Sequence, residues 1–258
     1  SPRAGASGRR DPGRLDAANT GIRHTASTYG KAKFGTYSEK ANGHLNVESD
    51  AERFVAHLLA IDPRVRAFQP QPFCVDLLDR RLLFTREAVG KACFKHGGVE
   101  GPKFYTVDFS VGWLDGLHHA VEVKAEGFEG DEVYWDKVAR ARPVLAANGY
   151  PLRTLVLPAN TVHPIRMNSR ALKQAMHQVQ TYLTAELVAR VERRCEGGPV
   201  SVRDLCTDLQ LSPGLIPVLL VGGVLTGDLA HHAICGTLEL SLAYGDLGHL
   251  CLLEGVEK

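Results

Sequence analysis

No Cys-x-x-Cys pair occurs in the sequence, although six cysteines stand at 74, 93, 195, 206, 235 and 251. The pattern argues against a zinc ribbon or a dithiol redox motif. It fits reduced thiols of a cytosolic protein better than a disulfide framework. Long apolar runs are also missing; none reaches the length of a membrane span, so no membrane partner is expected. No charged-then-apolar signal opens the sequence, and the expected location is cytoplasmic. The glycines of "VGGVLTGD" lack the Gly-x-x-x-x-Gly-Lys-Ser/Thr order, which leaves no phosphate-cradling loop for a nucleotide. "HHAIC" at 231–235 and His118-His119 fit no usual zinc-ligand spacing, and His163 before Pro164 reads as a loop or core histidine.

Net charge is nearly absent too, at +1 over 258 residues, but that balance hides a polarity. Residues 1–47 hold eight Lys/Arg against three acids, a balance of +5. Residues 201–258 hold two bases against seven acids, a balance of −5. A polyanion would be drawn to the front of the chain and repelled by its back, unless the basic segment is simply solvated.

What is present reads as a mixed α/β protein of one large or two modest domains; 44% hydrophobic and 23% charged residues are ordinary for a globular chain. Residues 1–45 lack sustained periodicity and read as a basic N-terminal arm. "ESDAERFVAHLLAIDPRV" reads as a helix capped by Ser49 or Asp50, with Phe54, Leu58 and Ile61 on one stripe and Asp62-Pro63 at its end. "PFCVDLLD" and "RLLFTREAV" read as strands about a turn at Asp79-Arg80, and "GKACFKHGGVEGPK" as a loop. "FYTVDFSVGWLDGLHHAVEVKAEG" reads as two alternating strands turning at Asp115-Gly116. A helix over "DEVYWDKVARARPVLAANGY" and a strand over "LRTLVLPANTV" complete an α/β unit over 46–167.

"SRALKQAMHQVQTYLTAELVARVERRC" then reads as one long helix bearing several basic residues. Two short helices and a hairpin follow, the order of a winged helix. A second domain is therefore placed at 168–258.

Chemistry concentrates in the hairpin. In "HHAVEVKAEG" the period-two alternation sends Val121 and Val123 to one face and Glu122 and Lys124 to the other. Asp108, in "TVDFSV", falls on the preceding strand, within reach across a tight turn. Carboxylate oxygens suit Mg²⁺, and a neighbouring lysine can orient or help deprotonate a water, or offset charge developing on phosphorus. An Asp followed by Glu-x-Lys at such spacing arises by chance in about one chain of this size in two or three, so context must decide. Otherwise the pair is a cross-strand ion pair. Upstream, Glu48 and Glu52 lie one turn apart on a helix and offer a third carboxylate.

"VESDAERFVAHLLAIDPRVRAFQPQPF", "YTVDFSV" and "AVEVKAEG", in that order, resemble the catalytic domain of the TnsA family. These are the endonuclease subunits of heteromeric transposases, with the fold of type II restriction enzymes. The similarity covers roughly residues 25–165. The later residues match the family's C-terminal domain by layout only, and Val107 replaces the proline usual before the aspartate. The resemblance implies a restriction-endonuclease-like domain and assigns metal ligation to Glu52, Asp108 and Glu122, with Lys124 as the catalytic lysine and Glu48 as the rival helix acid.

It further implies Mg²⁺, with Mn²⁺ able to substitute, as one or two ions. The reaction it implies is hydrolysis of one DNA strand at the 5′ ends of a transposon in a bacterial cytosol. A TnsB-like integrase-family transposase would cut and join the 3′ ends. On this view Arg23, Lys31, Lys33 and Lys40 track double-stranded DNA through its phosphates, and the acidic C-terminal domain docks a TnsC-like ATPase regulator. Two other readings keep the same residues: a restriction-like repair or resolvase nuclease acting alone, and a non-catalytic winged-helix adaptor in which the acids only pair with bases. Tyr134 and Trp135 are read as core residues, with stacking on DNA as the alternative.

Overall fold

The computed structural model describes residues 21–22, 34–128 and 130–257. Arg23, Lys31 and Lys33 lie outside the described residues. The expectation of an unpatterned arm to residue 45 does not hold at its end. Strands β1 (Phe34–Ser38) and β2 (Gly43–Val47) form an antiparallel hairpin, closed by a 3-10 turn and by Asn42 at φ 57°. An asparagine tolerates that left-handed geometry at low cost, and the glycine after it at none. Ala41, Leu45 and Val47 are buried in the main core. Lys40 donates from Nζ to the Asp62 carbonyl at 2.6 Å, tying the hairpin to the end of the next helix.

That helix, α1 (Asp50–Ile61), begins at Ser49, whose Oγ accepts the Glu52 N–H. Strand β3 (Val65–Pro70) follows, then β4 (Cys74–Asp76) and β5 (Arg81–Leu83) about a turn where Arg80 has φ 53°. Residues 96–103 of the expected loop are non-helical, but 90–95, with the last four residues of the strand expected over 81–89, are helix instead. Helix α2 (Arg86–Lys95) is capped by Thr85 and buries only Ala92, so it shows no apolar stripe to read. The strand expected over "FYTVDFSV" divides in two. β6 (Phe104–Thr106) joins the small sheet β5-β4-β6, and β7 (Phe109–Trp113) joins the main one.

The main sheet runs β3-β7-β8-β9, completed by β8 (His118–Ala125), helix α3 (Glu132–Ala147) and β9 (Leu152–Leu157). Its first three strands are antiparallel, while β9 lies parallel to β8 after the α3 crossover. Val121 and Val123 share one apolar cluster with α1, whereas Ala120 packs with Val138, Ala141 and Leu145 of α3. Each sheet face thus has its own helix, the arrangement of a mixed α/β fold.

The long helix expected after residue 168 is three helices: α4 (Pro164–Ala175), α5 (Val179–Tyr182) and α6 (Ala185–Cys195). Leu183 leaves helical geometry at ψ 77°, and Thr184 then starts α6 by capping the Leu187 N–H. His163 caps α4 through Nδ1. Next come β10 (Val200–Ser201), α7 (Val202–Leu209), α8 (Ile216–Val221), β11 (Leu225–Thr226) and β12 (Glu239–Leu242), the strands pairing in the order β10-β12-β11.

The apolar cluster under α1 continues without a break through Leu172 and Leu187 to Leu205 and Ile216. Buried Asn168 fastens this region. Its Nδ2 donates to the carbonyls of Leu229 and His232, and its Oδ1 accepts the Ile234 N–H, each at 2.8 Å. Among the described residues no single helix is long and apolar enough to cross a membrane.

Candidate active site

The alternation read in β8 is realised. Its valines lie under α1 and Glu122 points to the opposite face, into a buried polar pocket. Asp108 occupies the break between β6 and β7, where the chain leaves one sheet for the other. Its backbone N–H donates to the Val121 carbonyl at 3.1 Å, and its carbonyl accepts the Gln71 N–H at 2.8 Å. Its carboxylate turns toward β8: Oδ2 accepts the Val123 N–H at 2.7 Å. Oδ1 meets no donor among the described residues.

Glu122 is the most engaged of the acids. Lys124 Nζ lies 3.0 Å from its Oε1, and the hydroxyls of Tyr105 and Tyr134 donate to Oε2 and Oε1 respectively. The Lys124 ammonium also sits 3.4 Å from the centre of the Tyr134 ring, close enough for a cation–π contact. Tyr134 packs against the core under α3 as expected and in addition reaches the site, Trp135 is exposed and not in the core, and Tyr105 joins the site without having been expected there. Its only sequence cue is its place three residues before Asp108, among otherwise apolar core positions.

Glu52 comes from the first turn of α1 and is buried. Its oxygens accept from Ser49 Oγ at 2.9 Å and from the Glu48 N–H at 3.0 Å, a reciprocal arrangement close to a capping box. Glu48 precedes the cap, as the sequence suggested.

The electrostatics bind the acids into one group. Burial pushes the Asp108 carboxyl well above the usual range, and the charges of Glu122 and then Glu52 push the same way; the Val123 hydrogen bond and Lys124 oppose them. Glu52 is raised, first by burial and, more weakly, by Glu48 and Glu122, against its two hydrogen bonds. Tyr105 and Tyr134 are held well above the ordinary phenol range by burial and by Glu122, so both remain donors. Three acids with one lysine are a set of hard oxygen donors short of positive charge, which is chemistry a divalent cation completes. Buried Thr154, in register with Glu122 on β9, carries an Oγ1 without a partner among the described residues, a polar group left for water or a ligand.

The three carboxylates do not close on one point as they stand. Among the described residues, the group whose ligand atoms all lie within 4.8 Å of one another is Asp76, Asp79 and His96. Sequence reasoning named Asp79 only as a turn residue. Buried Asp76 accepts from His96 at 3.1 Å, while Lys95 binds both oxygens of Asp79 and Arg81 lies 3.3 Å from it. With two cations already matching two carboxylates, this cluster is a satisfied ion-pair network that locks α2 to the β4–β5 turn. The other histidines are spread out: His119 accepts the Trp113 indole N–H at 2.8 Å, and His231 and His232 face Asp228 on the surface.

No known family model and no curated protein matches the chain.

Proposed function

We propose that the chain is a divalent-metal-dependent DNA endonuclease, the subunit of a heteromeric transposase that hydrolyses a phosphodiester at the 5′ ends of the element. A TnsB-like transposase would cut and join the 3′ ends. The observation that carries this reading is that Asp108 feels the charges of Glu122, Glu52 and Lys124 together, with Lys124 paired to Glu122, although the carboxylates do not converge on one point. The shortage of positive charge, the open Asp108 Oδ1 and the unpartnered Thr154 hydroxyl fit an Mg²⁺ ion held by Glu52, Asp108 and Glu122. When bound, such an ion would supply Lewis-acid stabilisation of the phosphoryl charge and a more acidic water.

The chain's own residues do the rest. The Val123 N–H fixes Asp108, and the two tyrosines fix Glu122. Lys124, pinned between Glu122 and the Tyr134 face, would offset the charge that develops on phosphorus as a water adds, the bridging P–O bond breaks and a proton from that water ends on the leaving oxygen. The resemblance supports a restriction-endonuclease-like frame for 46–167. The order α6, β10, α7, α8, β11, β12 supports a winged helix in 168–258, whose acidic part, 201–258, suits docking of an ATPase regulator better than DNA.

A second reading has its own observation. Every oxygen of Glu52 and Glu122 already has a protein partner, as in a non-catalytic adaptor. Cleavage of end-labelled transposon DNA, with the partner transposase and Mg²⁺, separates the two. Asp108→Ala is expected to abolish 5′-strand cleavage while folding and DNA binding persist, and full cleavage by that variant rules the site out.

A further inference from the structure

Helices α1 and α4 enclose a groove of about 440 Å³ that includes Asp50, Arg53, Phe54, His57, Arg166 and Arg170 in its walls. Three arginines face one carboxylate there. Arg53 pairs with Asp50, and Arg166 Nη1 lies 3.8 Å from the same acid, so Asp50 is shared and cannot neutralise both. Arg170 is exposed and forms no ion pair with any described residue. Lys173, one turn further along α4, adds its field to those of Arg53 and Arg170 at His57. Arg166 and Arg170 are one turn apart on α4 and stand across the groove from Arg53 on α1, so both walls present a cation.

The walls also hold two of these cations, Arg53 and Arg166, in place. The Arg53 guanidinium lies 5.0 Å from the Phe34 ring and that of Arg166 5.4 Å from the Phe54 ring, while Arg166 Nε donates to the Pro158 carbonyl at 2.7 Å. Pro158 directly follows β9, whose last residues pair with Lys124 and Ala125 of β8. Arg53 directly follows Glu52. Each wall of the groove is therefore linked along the chain to the candidate site, α1 through Glu52 and α4 through Pro158 and the end of β9. Three guanidinium groups along one groove, two of them held over aromatic rings, suit a chain of phosphates, each met by a charge-assisted hydrogen bond.

We propose that this groove binds the phosphate backbone of duplex DNA beside the scissile position, and that Arg53, Arg166 and Arg170 are its contacts. The proposal takes the nature of the polymer from the nuclease reading, and its location from the groove alone.

The test is anisotropy of a fluorescently labelled DNA duplex with the full chain, in EDTA and across a salt series. Binding is then read without cleavage, and a chain that binds as expected yet never cuts would fail only the nuclease reading. Arg170→Ala, at an exposed position without an ion pair among the described residues, is expected to weaken binding several-fold and to lower the salt slope by about one. Asp50→Asn, which removes the groove's own carboxylate, is expected to tighten binding. Arg166→Ala serves as a further variant, checked by thermal unfolding because it also holds Pro158. Affinity and slope unchanged by both Arg170→Ala and Asp50→Asn overturn the proposal.

Discussion

The Lys124 ammonium lies 3.4 Å from the centre of the Tyr134 ring, while the hydroxyl of that tyrosine donates to Glu122. One side chain from α3 thus positions both Glu122 and Lys124 of β8. Without Tyr134 the lysine would rest on Glu122 alone.

Tyr134→Phe keeps the ring and removes the hydroxyl, which separates these two roles. The lost hydrogen bond to a buried carboxylate is expected to lower stability by about 1–3 kcal/mol in urea unfolding. Cleavage in the presence of the partner is expected to fall while DNA affinity stays unchanged. If affinity falls with cleavage, the tyrosine contacts DNA rather than Glu122.

His57 supplies a pH dependence. Burial, then the charges of Lys173, Arg53 and Arg170, bring its folded pKa down from 6.5 to about 4, against a smaller opposing effect of Asp50. Between those values the unfolded chain binds a proton that the folded chain does not. Stability is therefore unaffected by this group above pH 6.5 and is lost as pH falls toward 4. Allowing for partial solvent screening, the loss is on the order of 1 kcal/mol. Urea midpoints across that range are expected to fall less steeply for His57→Gln than for the parent chain; identical slopes would remove His57 as the cause.

The hairpin ahead of α1 belongs to the fold. Leu45 is fully buried in the main cluster, so Leu45→Ala is expected to cost about 2–5 kcal/mol. A loss under about 0.5 kcal/mol, the range of a surface change, would show that the hairpin is not part of the cooperative unit.

How far the sequence reveals this structure depends on whether a feature is local. The Ser49 cap, the Asp79-Arg80 and Asp115-Gly116 turns and the β8 alternation are set by neighbouring residues, and each is where the pattern puts it. Asn42-Gly43 is a local hairpin cue as well, but with so few apolar residues before it the preceding strand has little alternation to follow. Surface helix α2 buries one residue, and a helix without a stripe is nearly silent in periodicity. The break at Leu183 hides inside a pattern that resumes at once with Thr184.

Asp108, Glu122 and Lys124 are legible together because one hairpin carries them. Tyr105 and Tyr134 are not, since they reach Glu122 from a different sheet and from the helix after β8. The cations of α4 are visible as basic residues, but their alignment with Arg53 and His57 exists only once α4 packs on α1.

Titration calorimetry of Mn²⁺ into the protein bound to duplex DNA, beside the same titration of Asp108→Asn, tests the central claim most directly. Asp108→Asn keeps the size of the side chain and removes one charge. The account predicts saturable binding by the parent chain that the variant loses, with both folded and both bound to DNA. Equal binding by the two proteins, or binding by neither, contradicts a metal centre at Asp108 and leaves the acids of this cleft as structural partners of their tyrosines and lysine.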